Sequence, residues 1–149
     1  MHNIIIDIIA VVSGNIFNLA LTALFTARIR SRENGEYAFG IISMLTAIPL
    51  LLVSIANLAG MREWWTYVLP IPLIIFSVLE LILDYILRLN FRETKLLIPY
   101  LFCLYLGQWW LVGYSFLVDR SLGFFTLGTY AVALAATWLA HRKPKVLQA

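Results

Sequence analysis

Five apolar stretches, each long enough to cross a bilayer, leave this chain few folds to choose from. A spanning helix needs about 20 mostly apolar residues. Residues 4–26, 37–60, 65–87, 96–118 and 122–140 each qualify, with short charged connectors between them. The chain is 62% hydrophobic and 13% charged, against about 45–50% and about 25% in soluble domains. A soluble domain of 149 residues keeps too much surface to hide that apolar area. Lipid removes the difficulty, and in lipid only helices and closed barrels satisfy every backbone polar group. The expected fold is all-α: one domain over residues 1–149, a polytopic integral membrane protein built as a bundle of five transmembrane helices. Connectors this short return each helix antiparallel to the one before.

The first stretch is expected to stay in the mature protein. A signal peptide carries positive charge ahead of its apolar core, whereas Arg28, Arg30 and Arg32 follow this one, and Asp7 and Asn15 interrupt it. Orientation follows from where Lys and Arg fall. The first connector holds Arg28, Arg30 and Arg32, the third Arg88, Arg92 and Lys95, and the C-terminal tail Arg142, Lys143 and Lys145. The second and fourth hold one each, Arg62 and Arg120. This alternation predicts the N-terminus outside and the C-terminus in the cytoplasm. Trp64, Trp65 and Tyr67 then fall at the outer interface, where aromatic belts form.

Helices in lipid associate by close packing and hydrogen bonds, since burial of apolar surface gains nothing there. Ala10 and Gly14 in the first span, Gly40, Ser43 and Ala47 in the second, and Gly128, Ala131 and Ala135 in the fifth are the small-residue stripes expected to make contacts. Pro49 lies mid-span and is expected to kink its helix, with Thr46 placed to help satisfy the freed carbonyl. Pro70 and Pro72 either bend the start of the third span or mark a later helix start. Pro99 falls in a first turn, where proline forfeits no helical bond.

Polar groups inside a membrane are costly and face the bundle interior. The first span carries Asp7, Asn15, Asn18 and Thr22. Asp7 is close enough to the outer surface to be expected hydrated. The second span carries Asn57. Ser77, Glu80, Asp84 and Arg88 follow at three- and four-residue spacing along the third. Asp84 and Arg88 suit an ion pair at a helix end, and Arg88 is long enough to snorkel. Tyr105 and Gln108 lie within one turn of the fourth span, flanked by Trp109, Trp110 and Tyr114. At about 1.5 Å per residue, Asn15 and Gln108 fall near the midplane and Asn18 and Glu80 slightly to the cytoplasmic side. Asn15, Asn18, Glu80, Asp84, Tyr105, Gln108, Trp109 and Tyr114 are therefore the candidate ligand-binding residues. Glu80 is the deepest acid and is expected to be neutral or paired, because an unpaired carboxylate is strongly disfavoured at that depth. The same Asn and Gln residues would also serve as interhelical glue, at about 0.6 kcal/mol each.

Several chemistries find no support in the pattern. His2 and His141 lie at opposite ends of the chain, so neither a histidine-activated nucleophile nor a metal or haem site within one chain is expected. Cys103 is the single cysteine and sits inside an apolar run. The basic clusters are accounted for by topology, so no nucleic-acid partner is expected. The expected function is a non-enzymatic membrane module, without cofactor, that binds or moves an apolar or amphipathic small molecule, with a lipid or an apolar small molecule as the expected ligand. Pockets of that kind are mostly apolar with a few polar anchors. The alternative is a structural or accessory subunit of a membrane complex, as a homo-oligomer or with a partner membrane subunit. A lipid-modifying enzyme using Glu80 and Asp84 as acid and base ranks third.

Overall fold

The computed structural model of the protein describes residues 4–87 and 94–142. The Asp84–Arg88 pair expected from the sequence lies outside these residues through Arg88, as do His2, Arg92, Lys143 and Lys145. Every regular element among the described residues is helical. Five helical runs are long and apolar enough to span a membrane: Ile4–Ile29, Glu33–Ala59, Trp65–Ile86, Leu97–Val118 and Arg120–Ala140. They support a multi-pass membrane protein in a lipid bilayer. The first, second and fifth runs extend beyond the expected ends into charged residues. A helix keeps its backbone bonds there, while long basic side chains reach to the interface.

The first span is one helix, α1 (Ile4–Ile29). The second divides into α2 (Glu33–Leu45) and α3 (Ala47–Ala59) at Thr46. The third comprises a single turn, α4 (Trp65–Val68), then α5 (Ile71–Glu80), then a π-helix over Leu81–Ile86. The fourth and fifth are α6 (Leu97–Val118) and α7 (Arg120–Arg142). Helix α1 forms the centre, packed against α2, α3, α6 and α7. Its apolar window is 56% buried, against 28–39% for the other four spans. The rest close around it, α5 against α3 and α6, and α6 against α7.

The distribution of side chains is that of a bundle in lipid. Isoleucines and leucines such as Ile8, Ile16, Leu52, Ile55 and Leu139 face outward, while Asp7, Asn15, Asn18, Asn57, Glu80, Gln108, Thr126 and Thr129 are buried. Gly14 makes room for a side chain of α6, and Gly107 brings two backbones together. A Cβ on Gly14 would lie 2.6 Å from Cγ of Leu111, with Cδ2 nearer still. On Gly107 it would lie 3.0 Å from the backbone N and Cα of Leu73.

The breaks have local causes. Pro49 has no N–H to donate to the carbonyl four residues back, and the chain tightens at Thr46, whose N–H bonds Ser43 O at 3.3 Å. The Thr46 hydroxyl does not serve the carbonyl that Pro49 frees, as the sequence suggested. It donates to Ser43 O at 2.6 Å, because a helical threonine hydroxyl reaches back three or four residues. Pro70 caps α5 and Pro72 sits in its first turn, so the regular helix begins later than the span itself. Two spans end with a left-handed residue that is not glycine, Ser31 (φ 54°) and Met61 (φ 47°). In both turns the following N–H returns to the carbonyl five residues back, Arg32 to Ala27 and Arg62 to Asn57, each at 3.0 Å. This is the Schellman closure, which glycine occupies most readily. Met61 is fully exposed, so Met61→Gly is expected to raise the unfolding temperature in detergent, stabilising the bundle by about 1 kcal/mol. An unchanged melt would mean the strain is absent.

The fifth span corrects the sequence reading. Gly128, Ala131 and Ala135 face outward, and a Cβ on Gly128 would meet nothing within 4 Å. The buried face carries Thr126, Thr129, Ala133, Ala136 and Thr137. Small size alone gives a helix face no preference for protein over lipid; the Thr126 and Thr129 hydroxyls do, because they bond Asn15 and Asn18 on α1.

Candidate functional site

Two polar networks cross the interior. The first joins α1, α6 and α7 near mid-bundle. Asn15 Nδ2 donates to Thr126 Oγ1 at 3.0 Å, and Thr129 Oγ1 donates to Asn15 Oδ1 at 2.7 Å. Asn18 Nδ2 donates to Thr129 Oγ1 at 3.1 Å and accepts from Gln108 Nε2 at Oδ1, also at 3.1 Å. Thr126 lies 3.0 Å from the Ser115 hydroxyl. Asn15, Asn18 and Gln108 therefore do come together, through one another and the threonines of α7. Ser115, Thr126 and Thr129 are the residues that sequence reasoning missed. Their signal was present: Thr126, Thr129, Ala133 and Thr137 recur at helical spacing.

The second network closes the opposite end of the bundle from Arg28. Arg62 grips Asp7 with two bonds, Nη1 to Oδ1 at 3.0 Å and Nη2 to Oδ2 at 2.7 Å. Nη1 also donates to Asn57 Oδ1 at 2.7 Å, and Asn57 Nδ2 donates to Thr66 O at 3.0 Å. The Tyr114 hydroxyl donates to Asp7 Oδ1 at 2.7 Å, and its ring meets Trp65 edge-on at 5.4 Å. Asp7 is 3% exposed, which overturns its expected hydration. The left-handed turn at Met61 returns the chain over the bundle, and Arg62 follows it to the carboxylate. The hydrogen bonds to Asp7 hold the guanidinium pKa above its ordinary value, against the opposing effect of desolvation. Four spans and a connector meet here with each acceptor of Asp7 engaged, the condition under which a buried polar network stabilises.

The remaining candidates disperse. Glu80 is buried at the junction of α5 with the π-helix. It lines a cavity of about 20 Å³ together with Arg28, Tyr100, Leu21, Leu24 and Leu104, enough for one water. Asp84 is half-buried on the π-helix. Tyr105 lines a lateral groove of about 540 Å³ between α6 and α7, with Leu101, Leu134 and Trp138. Trp109 is 58% exposed, and its ring meets Tyr130 at 6.1 Å. Tyr114 belongs to the Asp7 network. The aromatics of α6 thus point in different directions, and Glu80 and Tyr105 line separate cavities.

A second lateral groove, of about 410 Å³, runs between the second and third spans. Met44, Ala47, Ile48 and Leu51 form one wall and Ile74, Val78 and Leu81 the other, with Ser77 in the wall and Tyr85 at one end. It lies beside the break at Thr46 on one side and runs onto the π-helix on the other. π turns are rare and recur at functional sites. Sequence reasoning passed over this groove, although Pro49 marked the break beside it. Among the described residues no group of three or more His, Cys, Asp or Glu is placed to hold a metal ion. Comparison with protein-family models, curated proteins and solved structures gave no match, so a functional reading rests on this geometry alone.

Proposed function

We propose that this chain is a non-enzymatic membrane module that binds an apolar or amphipathic small molecule in the groove between its second and third spans. The end bearing Arg28 faces the cytoplasm and the end bearing Arg62 faces outside, as the Lys/Arg alternation favours. The observation that supports the binding reading is the groove itself. Its volume of about 410 Å³ and its apolar walls with Ser77 and Tyr85 match the usual form of a ligand site, mostly apolar with few polar groups. The test is photolabelling with a diazirine-bearing palmitate in bilayers. Labelling is expected to concentrate on residues 41–51 and 74–85, and Ala47→Trp, which fills the groove, is expected to reduce it several-fold. Labelling spread evenly over the lipid-facing residues of all five spans would sink the reading.

One observation favours a second reading, a structural or accessory subunit. Asn15, Asn18 and Gln108 spend their side-chain groups on bonds among α1, α6 and α7, as interhelical glue would. An evenly spread photolabel would leave that reading in place.

A further inference from the structure

The geometry points to an anionic glycerophospholipid as the ligand of the groove between the second and third spans, its headgroup held by Arg30 and Arg32. This rests on the groove reading above. From Ile74 to Tyr85 the groove runs about 16 Å along the helix axis, half of the roughly 30 Å hydrocarbon thickness. That is the depth of one leaflet, so the occupant is a chain that enters from one interface and stops near the midplane.

Tyr85 marks the mouth. Its ring lies 5.3 Å from that of Tyr37, and its hydroxyl donates to Tyr37 O at 3.5 Å. A side chain on Gly40 would run into that hydroxyl; the glycine makes room for it. Paired tyrosines, apolar in body and polar at the tip, belong at headgroup level. Arg32 lies five residues before Tyr37, about 8 Å further along the axis toward the aqueous phase. Arg28 is engaged by Glu36, Nε donating to Oε1 at 2.9 Å, while Arg30 and Arg32 are exposed.

Charge selects the headgroup. Among the described residues the mouth end carries Arg28, Arg30, Arg32, Lys95 and Arg142 against Glu33, Glu36 and Asp84, whereas the other end carries Arg62 and Arg120 against Asp7, Glu63 and Asp119. The Tyr85 end of the groove lies at the basic end. Basic side chains at a cytoplasmic interface attract anionic headgroups. A second copy of this chain would bring the same positive charge against the two exposed arginines.

Native mass spectrometry of the detergent-solubilised chain with equal amounts of phosphatidylglycerol and phosphatidylcholine tests the inference. Phosphatidylglycerol is expected to be retained preferentially, by about fivefold for each arginine engaged. Arg30→Gln/Arg32→Gln should remove the preference while leaving phosphatidylcholine binding and the melting temperature unchanged. Ala47→Trp should weaken both lipids. Equal retention of the two lipids, with Ala47→Trp weakening both, overturns the inference and leaves the groove reading standing. A preference that survives loss of both arginines overturns it too, placing the headgroup elsewhere. Lipid binding indifferent to Ala47→Trp, or a dimer lost in that variant, overturns the groove reading and the inference together.

Discussion

Replacing Arg62 with Met is expected to destabilise the bundle by about 3–5 kcal/mol, the cost of leaving one partner of a buried ion pair alone. Asp7 would keep the Tyr114 hydroxyl as a donor but lose both guanidinium bonds. Asn57 Oδ1 would lose its donor at the same time. The loss would be felt by the first, second and fourth spans together, because each supplies one of those residues. The double substitution Asp7→Asn/Arg62→Gln removes both charges and keeps hydrogen-bonding groups in place. It should recover most of the loss, since an uncharged pair carries no uncompensated charge. Thermal or denaturant unfolding in detergent measures both variants. A change under about 0.5 kcal/mol for Arg62→Met, the range of an exposed surface substitution, would mean that the pair is solvated and does not seal the bundle.

Gly14→Leu should be nearly as damaging, at about 3 kcal/mol or more, the upper range of overpacking. The new side chain would start inside the space of Leu111, itself fully buried. Relief requires α1 and α6 to move apart, which also stretches the Gln108–Asn18 bond of 3.1 Å. Leu21→Ala offers a contrast: it removes a buried side chain, but lipid is as apolar as leucine, so the transfer part of the usual penalty is largely absent. It should therefore cost less than Gly14→Leu. Gly128→Leu is the matched control and should be close to neutral, because nothing lies within 4 Å of its Cβ position. If Gly128→Leu were as harmful as Gly14→Leu, the fifth span would be rotated from the orientation described.

The contrast between the two glycines marks where sequence reasoning stopped. The five spans were legible because hydropathy acts residue by residue and the bilayer fixes the length required. Rotation about each helix axis was less so. In water the apolar stripe of a helix identifies its buried face; in lipid the outward face is equally apolar, and the decision passes to hydrogen-bonding partners on other helices. Gly14 was placed correctly because polar Asn18 and Asn15 lie beside it on α1. On α7 the small-residue pattern pointed to Gly128, Ala131 and Ala135, yet the Asn15 and Asn18 amides draw Thr126 and Thr129 inward. Asp7 was misplaced for a related reason. Its partner lies 55 residues away, and only the left-handed turn at Met61 brings Arg62 over it. Counting Arg62 as a topology signal captured its charge and missed its reach.

The headgroup proposal depends on which face of the bundle meets the cytoplasm, and scanning cysteine accessibility tests that arrangement most directly. In a Cys103→Ser background, single cysteines are placed at Glu63, in the connector after the second span, and at Asn34, in the first turn of α2, both exposed at opposite ends of the bundle. A membrane-impermeant maleimide applied to intact cells is expected to label the cysteine at Glu63. The one at Asn34 should react only after the membrane is permeabilised. Labelling of both positions from outside would contradict a bundle that separates them across the membrane. Labelling of Asn34 alone would invert it, setting the arginine-bearing mouth of the groove outside the cell.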